Sequence, residues 1–412
     1  MPLTPWLSHY KTDFELARRR RGESIQFDGL RCEAFDRFLL VGFPPPGDDS
    51  WRSVDVAPIA DTCFTMGSKS ADAVRAAESD LAVHDACAEL VFANGYLLSE
   101  RSTGALRNAV AAPLASMLAS NPDALGAYFA RVARVDRLPL VALNTALFED
   151  GAAILVPPHT TIDAPVHVRF VSTGEADAKP AMSQPRVLVV LGEQSRATVI
   201  ESYAGPDGID YFTNAVTEVV LGNGAALEHD VLQDESTTAS LVTSAHVIAG
   251  ADASYTSTAI DLGGAFARNE TIVTLGGQGA VCTVNRFRMA AGDRLVNGYT
   301  VIDHAAADCV SRQRDWSVLA DRARGVLGGQ LIVPAESRSA RARRVTRVLM
   351  SRGASVEATD RVAIEHLPDD DPGRRVAAIA RFGRRAFNRV RTASLRARIE
   401  QPFERHLERG YA

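Results

Sequence analysis

Residues 190–199, VLGEQSRATV, set a pattern that recurs three more times in this chain. Each copy begins with an apolar residue, turns through a short segment that contains glycine, and continues as a strand. The other copies are VLGNGAALEH at 220–229, VIAGADASYTS at 247–257 and TLGGQGAVCTV at 274–284, and the four glycines are Gly192, Gly222, Gly250 and Gly276. A turn that recurs at nearly constant spacing is typical of a solenoid, because each coil can bury its apolar face only against the next coil.

The segments between these turns predict strands. ATVIESY at 197–203 and YTSTAIDL at 255–262 alternate apolar and polar residues with period 2. No run of helical periodicity interrupts them, which argues against a βαβ sheet. The pattern favours a β-helix over a sandwich, although spacing alone leaves the sandwich open.

Both flanks of this region predict helices. Residues 1–138 are expected to form an N-terminal, mostly helical domain, with long Ala/Leu/Arg runs at 7–21 and 102–135. Residues 139–345 would be the β-helix core. Residues 346–412 would be a C-terminal helical domain, because 375–400 place apolar residues along one helical stripe.

Composition and charge narrow the class of protein. The chain has 412 residues, of which 46% are hydrophobic and 23% charged, as in an ordinary globular protein. No apolar run reaches the roughly 20 residues that cross a bilayer, the N-terminus lacks a signal-peptide pattern, and the five cysteines form no CxxC pair. We therefore expect a cytoplasmic protein with reduced thiols and no membrane partner.

The charge is unevenly distributed. The net charge is −5, yet the segment from Arg338 to the end holds 18 arginines against 9 acidic residues. A basic C-terminal segment could meet nucleic acid or an acidic protein. Because these arginines alternate with apolar residues at helical spacing, we favour a solvated helical face and expect no nucleic acid partner.

Signatures of autonomous catalysis are absent from the sequence. The chain has three lysines, and MGSKS around Lys69 lacks the glycine spacing of a P-loop. There is no GxSxG elbow. Glu228–His229 and Asp303–His304 are neighbours, and neighbouring residues of a strand face opposite sides. Because no P-loop is present in the sequence, any ATP hydrolysis is expected in a partner chain.

VIDHAAADCVSRQ at 301–313 places His304 and Cys309 five positions apart. Histidine and cysteine suit iron or zinc, but such a site needs about four ligands and no second cluster lies nearby in the sequence. The two side chains would converge only if AAAD forms a turn. We therefore interpret them mainly as structural residues and keep them as cofactor-binding candidates.

Several stretches together resemble the SufB/SufD family of the SUF iron–sulfur assembly system. They include LNTALFEDGAAILVPP, PRVLVVLGEQSRATVIESYAG, YFTNAVTEVVLGNGAALEHDVLQDES, LGGAFARNETIVTLGGQGAVCTVNRFRMA and IDHAAADCVSRQ. The likeness is dense from about residue 143 to 335. WRSVDVAPIA and LVFANGYL extend it toward the N-terminus, so that it covers about three quarters of the chain.

The resemblance implies a mainly β protein with a right-handed parallel β-helix between helical terminal domains. It implies a non-enzymatic, SufD-like scaffold that pairs edge to edge with a SufB-like β-helix and docks a SufC-like ABC ATPase. It implies no stably bound cofactor, only a transient iron–sulfur cluster at a partner interface. A pairing of two copies of this chain is the alternative to the SufB-like partner.

The chain departs from the family where SufD normally carries D-D-V-x-C-x-H-G-A. Here the sequence reads IEHLPDDDPGRRVAAIA, which places Gly373 at the Cys position and Arg375 at the His position. Neither residue ligates iron. The partner would then supply all the ligands, or the chain is a diverged paralogue in a specialised biosynthetic pathway. For the ATPase-docking surface the sequence suggests Val376, Ile379, Phe387 and Val390.

Two other function classes are weaker alternatives. A polysaccharide lyase on a β-helix would need clustered carboxylates with basic partners, or calcium, on one face, and the sequence shows no such cluster. A nucleic-acid-binding tail would require binding that depends steeply on salt concentration.

Overall fold

The structure is a computed structural model. It describes residues 5–21, 25–45, 48–76, 85–99, 102–104, 106, 108–136, 138–174, 179–335, 337, 339–368, 372–387 and 403.

The helices lie toward the two ends of the chain. They are α1 (Pro5–Arg21), α2 (Ile25–Val41), a 3-10 helix (Asp49–Trp51), α3 (Ala57–Ala60), α4 (Ala71–Ala76), α5 (Leu114–Ser120), α6 (Pro122–Gly126), α7 (Pro139–Leu147) and α8 (Pro372–Phe387).

The strands fill the region between them. They are β1 (Thr65–Met66), β2 (Ala88–Ala93), β3 (Tyr96–Leu97), β4 (Thr103–Gly104), β5 (Val110–Pro113), β6 (Gly151–Val156), β7 (Val166–Val171), β8 (Ala181–Ser183), β9 (Arg186–Leu191), β10 (Arg196–Ala204), β11 (Tyr211–Leu221), β12 (Ala226–Asp234), β13 (Ser240–Ala249), β14 (Ser254–Asp261), β15 (Phe266–Leu275), β16 (Val281–Ala290), β17 (Leu295–Asp303), β18 (Val310–Leu319), β19 (Arg324–Ile332), β20 (Arg341–Met350), β21 (Ser355–Ala358) and β22 (Val362–His366).

The chain winds as a parallel β-solenoid. Strands alternate between two sheets. The body of sheet A consists of β9, β11, β13, β15, β17 and β19, and that of sheet B consists of β10, β12, β14, β16, β18 and β20. Each strand pairs in parallel with the strand two positions later, as β13 does with β15 over ten residue pairs. The predicted parallel β-helix is therefore confirmed.

The corners from sheet A to sheet B explain the glycine repeat. The Gly222 N–H donates to the Leu191 carbonyl at 2.8 Å, and the Gly250 N–H donates to the Leu221 carbonyl at 2.9 Å, which links successive coils. A Cβ on Gly222 would lie 2.8 Å from the Glu193 nitrogen, closer than side-chain carbons approach backbone. At the fourth corner the tight position is Gly277, where a Cβ would lie 1.9 Å from the Ala251 nitrogen, whereas Gly276 has room.

The interior and both outer faces are covered differently. An apolar cluster between the sheets includes Val199, Leu227 and Val273. The outer face of sheet A contacts α1, α2 and α7, where Phe212, Val242 and Phe266 meet helical Tyr10, Phe38 and Leu143. On the other side, α8 covers an apolar stripe on sheet B. Burial of these faces drives the helices onto the solenoid.

The element bounds differ from the predicted ones at both ends. Residues 102–135, predicted as helix, contain helices α5 and α6 but also strands β4 and β5, because pairing with β2 and β6 outweighs the local Ala/Leu preference there. Strands also continue to His366, beyond the expected end of the core at 345, and α8 begins only at Pro372. Val348 and Leu349, which fall in the predicted C-terminal helical domain, are buried residues of β20.

Candidate partner-binding and cluster-facing sites

His304 and Cys309 lie at the two ends of one corner. β17 ends at Asp303, β18 begins at Val310, and Asp308 takes a positive φ of 60°. AAAD therefore does form the turn that convergence requires. His304 hydrogen-bonds through Nε2 with the Ser311 hydroxyl at 2.8 Å, and the Cys309 thiol donates to the Gly277 carbonyl at 3.4 Å.

Both side chains are fully buried. Burial lowers the pKa of His304, which is therefore neutral near pH 7, and burial raises the pKa of the Cys309 thiol. Among the described residues no group of three or more His, Cys, Asp or Glu side chains is arranged to hold a metal ion. The corner thus holds each of the two predicted residues in a separate hydrogen bond, and no ligand set surrounds them within the described chain.

Gly373 and Arg375 lie in the first turn of α8. Arg375 is half-buried, and neither residue offers a soft or imidazole ligand. The part of the chain that is described therefore presents no iron-binding cysteine or histidine at the positions where the resemblance expects them.

The apolar stripe of α8 faces the solenoid. Ile379 and Phe382 are buried, and Phe382 packs edge-on against Trp316 of sheet B with ring centroids 5.0 Å apart. Ile379 thus holds α8 in place and is not accessible to a partner, because its whole side chain is covered. Val376 is half-buried. The Phe387 side chain and Val390 lie outside the described residues.

A buried polar network inside the solenoid was missed by sequence reasoning. His229 donates from Nε2 to Glu201 at 2.8 Å, and the Tyr255 hydroxyl contacts His229 Nδ1 at 2.9 Å. Burial alone would raise the pKa of Glu201. The charge of His229 and hydrogen bonds from His229, Tyr203 and Thr217 outweigh burial, so that the pKa of Glu201 is lowered overall. The partner of His229 is one coil away in space and 28 residues away in sequence.

The last coil is shorter than the coils before it. β21 pairs only with residues 324–327 of β19, and β22 pairs only with 346–350 of β20. Within the described chain, no strand pairs with the outer edge of residues 328–332, which we call the open edge. Leu331 and Ile332 on this edge are 52% and 41% exposed, followed by Val333 at 47%.

Two cavities border the open edge, one on each face of sheet A. The outer cavity has a volume of about 520 Å³ and is lined by Asn297, Tyr299, Gly328 and Gln330. The inner cavity, of about 350 Å³, reaches Ile302 and Leu331 between β19 and β20. Adjacent to it, the His304 N–H donates to the Ile332 carbonyl at 2.9 Å. An exposed strand edge with space on both faces suits the addition of an extended strand.

The fold and these surfaces define a parallel β-solenoid protein with helical ends and a last coil whose strands are only partly paired. The family model "SUF system FeS cluster assembly, SufBD core domain" matches residues 170–364, and "SufBD protein N-terminal region" matches residues 6–168. The chain therefore belongs to the SufB/SufD family of SUF-type iron–sulfur cluster assembly.

Similar proteins carry related names. An iron–sulfur cluster assembly SufBD family protein of Synechocystis is 25% identical over 78% of this chain and 72% of its own length. The chloroplastic protein ABCI7 of Arabidopsis thaliana is 27% identical over 49% of this chain and 43% of its own. The assembly protein SufD of Escherichia coli is 25% identical over 41% of this chain and 40% of its own.

No helix in the described part of the chain combines the length and the apolar character needed to cross a membrane.

Proposed function

We propose that this chain is a SufD-like, non-catalytic scaffold subunit that pairs through its open edge with a SufB-like β-helix. The open edge is the observation that carries the proposal. Its unpaired backbone would add hydrogen bonds to a partner strand, and the flanking cavities would receive side chains that alternate between its two faces. The nascent iron–sulfur cluster is the cargo of such a complex.

The partner subunit would supply the iron ligands. His304 is buried in a hydrogen bond with Ser311 and Cys309 in one with Gly277 of the preceding coil, and Gly373 and Arg375 replace the expected ligands. Anaerobic reconstitution with iron, sulfide and the partner should then give equal iron content for the wild type and for Cys309→Ser. Loss of iron in Cys309→Ser alone would assign a ligand to this chain.

Co-expression with a SufB-like subunit and a SufC-like ATPase tests the pairing. We expect a stable complex of the three chains. The double variant Leu331→Lys/Ile332→Lys should no longer co-purify with the SufB-like subunit, because charged lysine side chains on an exposed strand edge oppose pairing with another strand. Ile248→Lys is the matched control, since Ile248 is 40% exposed on a strand paired on both sides. A chain that stays monomeric with both partners present would refute the proposal.

The ATPase is proposed to dock on α8 and the residues that follow it in sequence, at Val376, Phe387 and Val390. Phe387→Asp or Val390→Asp should abolish co-purification of the ATPase while the β-helix stays folded. Ile379→Asp provides the contrast, because a carboxylate in this buried position should detach α8 and lower the thermal midpoint. An unaltered complex for both docking variants would refute this assignment.

A second candidate function is that of a paralogue in a specialised pathway. Gly373 and Arg375 favour it, because a chain freed from cluster assembly need not keep the ligand positions. A cysteine desulfurase and a SufB gene beside this gene would favour the scaffold, whereas a biosynthetic gene cluster would favour the paralogue.

A further inference from the structure

A basic groove lies on the outer face of sheet B, near the last coil. It is formed by Arg312, Arg314 and Trp316 of β18 with Arg343, Val345 and Arg347 of β20, and it encloses about 180 Å³. We call it the arginine groove. It is separate from the open edge, which belongs to sheet A.

The strand register places like charges side by side in this groove. Arg312 lies directly across from Arg343, Arg314 from Val345 and Trp316 from Arg347. Guanidinium groups on facing residues of adjacent strands repel each other. Arg312 and Arg343 are exposed, and within the described chain neither has an acidic partner within 4.0 Å. Arg312 and Arg343 therefore carry positive charge that no acidic side chain of the described chain pairs within this distance.

The remaining groups hold the groove in shape. Arg314 donates to the Asn285 side-chain oxygen at 3.2 Å. The Arg347 guanidinium lies 5.3 Å from the Trp316 ring centroid and 3.8 Å from the Glu365 carboxylate. Trp316 itself is packed against Phe382 of α8. The groove thus has a fixed, partly apolar floor and two exposed guanidinium groups at its rim.

We infer that the arginine groove binds an acidic segment of a protein partner. Arginine forms paired hydrogen bonds with carboxylates, and arginine with tryptophan is the composition typical of protein-interface hot spots. Phosphate sites more often use a glycine loop or a helix N-terminus, and the groove residues lie within two strands. Nucleic acid would need a longer basic track, whereas the same outer face carries Glu228 and Asp230 on β12.

Binding of a fluorescein-labelled decaglutamate peptide to the full chain tests the inference. We expect saturable binding at physiological ionic strength, weakened about tenfold or more by Arg312→Glu/Arg343→Glu. Arg131→Glu/Arg196→Glu makes the same charge change at exposed arginines elsewhere and should bind as the wild type does. Equal thermal midpoints would show that each variant is folded.

Competition separates the ligand classes. Pyrophosphate or single-stranded DNA that displaces the peptide at lower concentration than unlabelled decaglutamate would overturn the inference in favour of a phosphate ligand. No binding to the wild type, or equal binding to both double variants, would overturn it as well. The assay contains no SUF partner, so its result is independent of the proposed scaffold function.

Discussion

The two ends of the solenoid are finished in different ways. At the N-terminal end, β5 pairs antiparallel with β6, and β3 and β4 pair antiparallel with β2, so that the first coil is covered by the chain itself. At the C-terminal end, β21 and β22 cover only part of β19 and β20. An exposed strand edge is a site for pairing with another chain. Under the proposed function, a partner strand completes the C-terminal end.

The uncovered strand segments also differ from each other. The open edge of β19 carries exposed Leu331 and Ile332, whereas residues 341–345 of β20 carry Arg341 and Arg343. Apolar residues on an edge favour association, and charges oppose strand pairing. One truncated coil thus offers an apolar edge in sheet A and a basic groove in sheet B, which would select different partners.

The largest effect is expected where the N-terminal cover is tied to sheet A. Glu218 is buried, forms an ion pair with Arg186, and accepts N–H groups of Ala130, Val132 and Ala133. Glu218→Ala should lower the free energy of unfolding by roughly 3–5 kcal/mol, because Arg186 would be buried without its partner. Urea unfolding measures this, and a loss below about 1 kcal/mol would show that the cover is held by apolar packing alone.

A pH-dependent effect is expected in the middle of the solenoid. Burial raises the pKa of Glu235 to about 7, although the Tyr211 hydroxyl donates to it at 2.6 Å and acts in the opposite direction. Between about pH 4.5 and pH 7, Glu235 is therefore mostly protonated in the folded state and mostly ionised in the unfolded state. Stability should fall as the pH rises from about 4.5 to about 7.

Glu235→Gln tests this titration. The amide keeps an oxygen that accepts from Tyr211 but carries no charge. At pH 8 the variant should be more stable than the wild type, on the order of 3 kcal/mol, and near pH 4 the difference should vanish. Urea midpoints at both pH values measure it, and a difference that does not change with pH would contradict the buried titration.

The open edge should contribute to association and not to folding. Leu331→Lys/Ile332→Lys should leave the thermal midpoint nearly unchanged, because both side chains are already about half exposed. It should weaken binding to the SufB-like subunit roughly tenfold or more. A large drop in the thermal midpoint would mean that the edge is part of the core and is not left free for a partner.

The smallest effect is expected at a surface ion pair of the solenoid corner. Arg322 and Asp293 meet at 2.6 Å, but both side chains are 72% exposed. Arg322→Ala should leave the urea midpoint unchanged within error, because solvent screens exposed pairs. A clear loss would show that these corners, and not the strand ladders, limit the stability of the closed coils.

The fold could be predicted from the sequence because its signals are local. Gly192 and Gly222 lie at corners where a side chain would collide with the preceding coil, so these corners require glycine locally. Alternation along single strands is equally local. Within 102–135, helices α5 and α6 agree with the prediction, but β4 and β5 were predicted wrongly as helix, because these strands depend on pairing with β2 and β6, which composition does not reveal.

Contacts between coils could not be predicted in this way. The sequence indicated only that Glu228 and His229 face opposite sides of a strand, and it did not reveal that His229 pairs with Glu201 of the preceding coil. The burial of His304 and Cys309 in their own corner also depends on the coils on either side. The arginine groove is a similar case, because Arg312 and Arg343 meet only through the register of β18 and β20. The truncated last coil has no sequence signal that we identified.

Hydrogen exchange of the chain, alone and with the SufB-like subunit, tests the central claim most directly. If a partner strand completes the last coil, the amides of residues 328–332 that point away from β17 should exchange slowly only in the complex, while those of β11 to β15 are protected in both states. Protection confined to another surface, with residues 328–332 exchanging equally fast in both states, would contradict the claim.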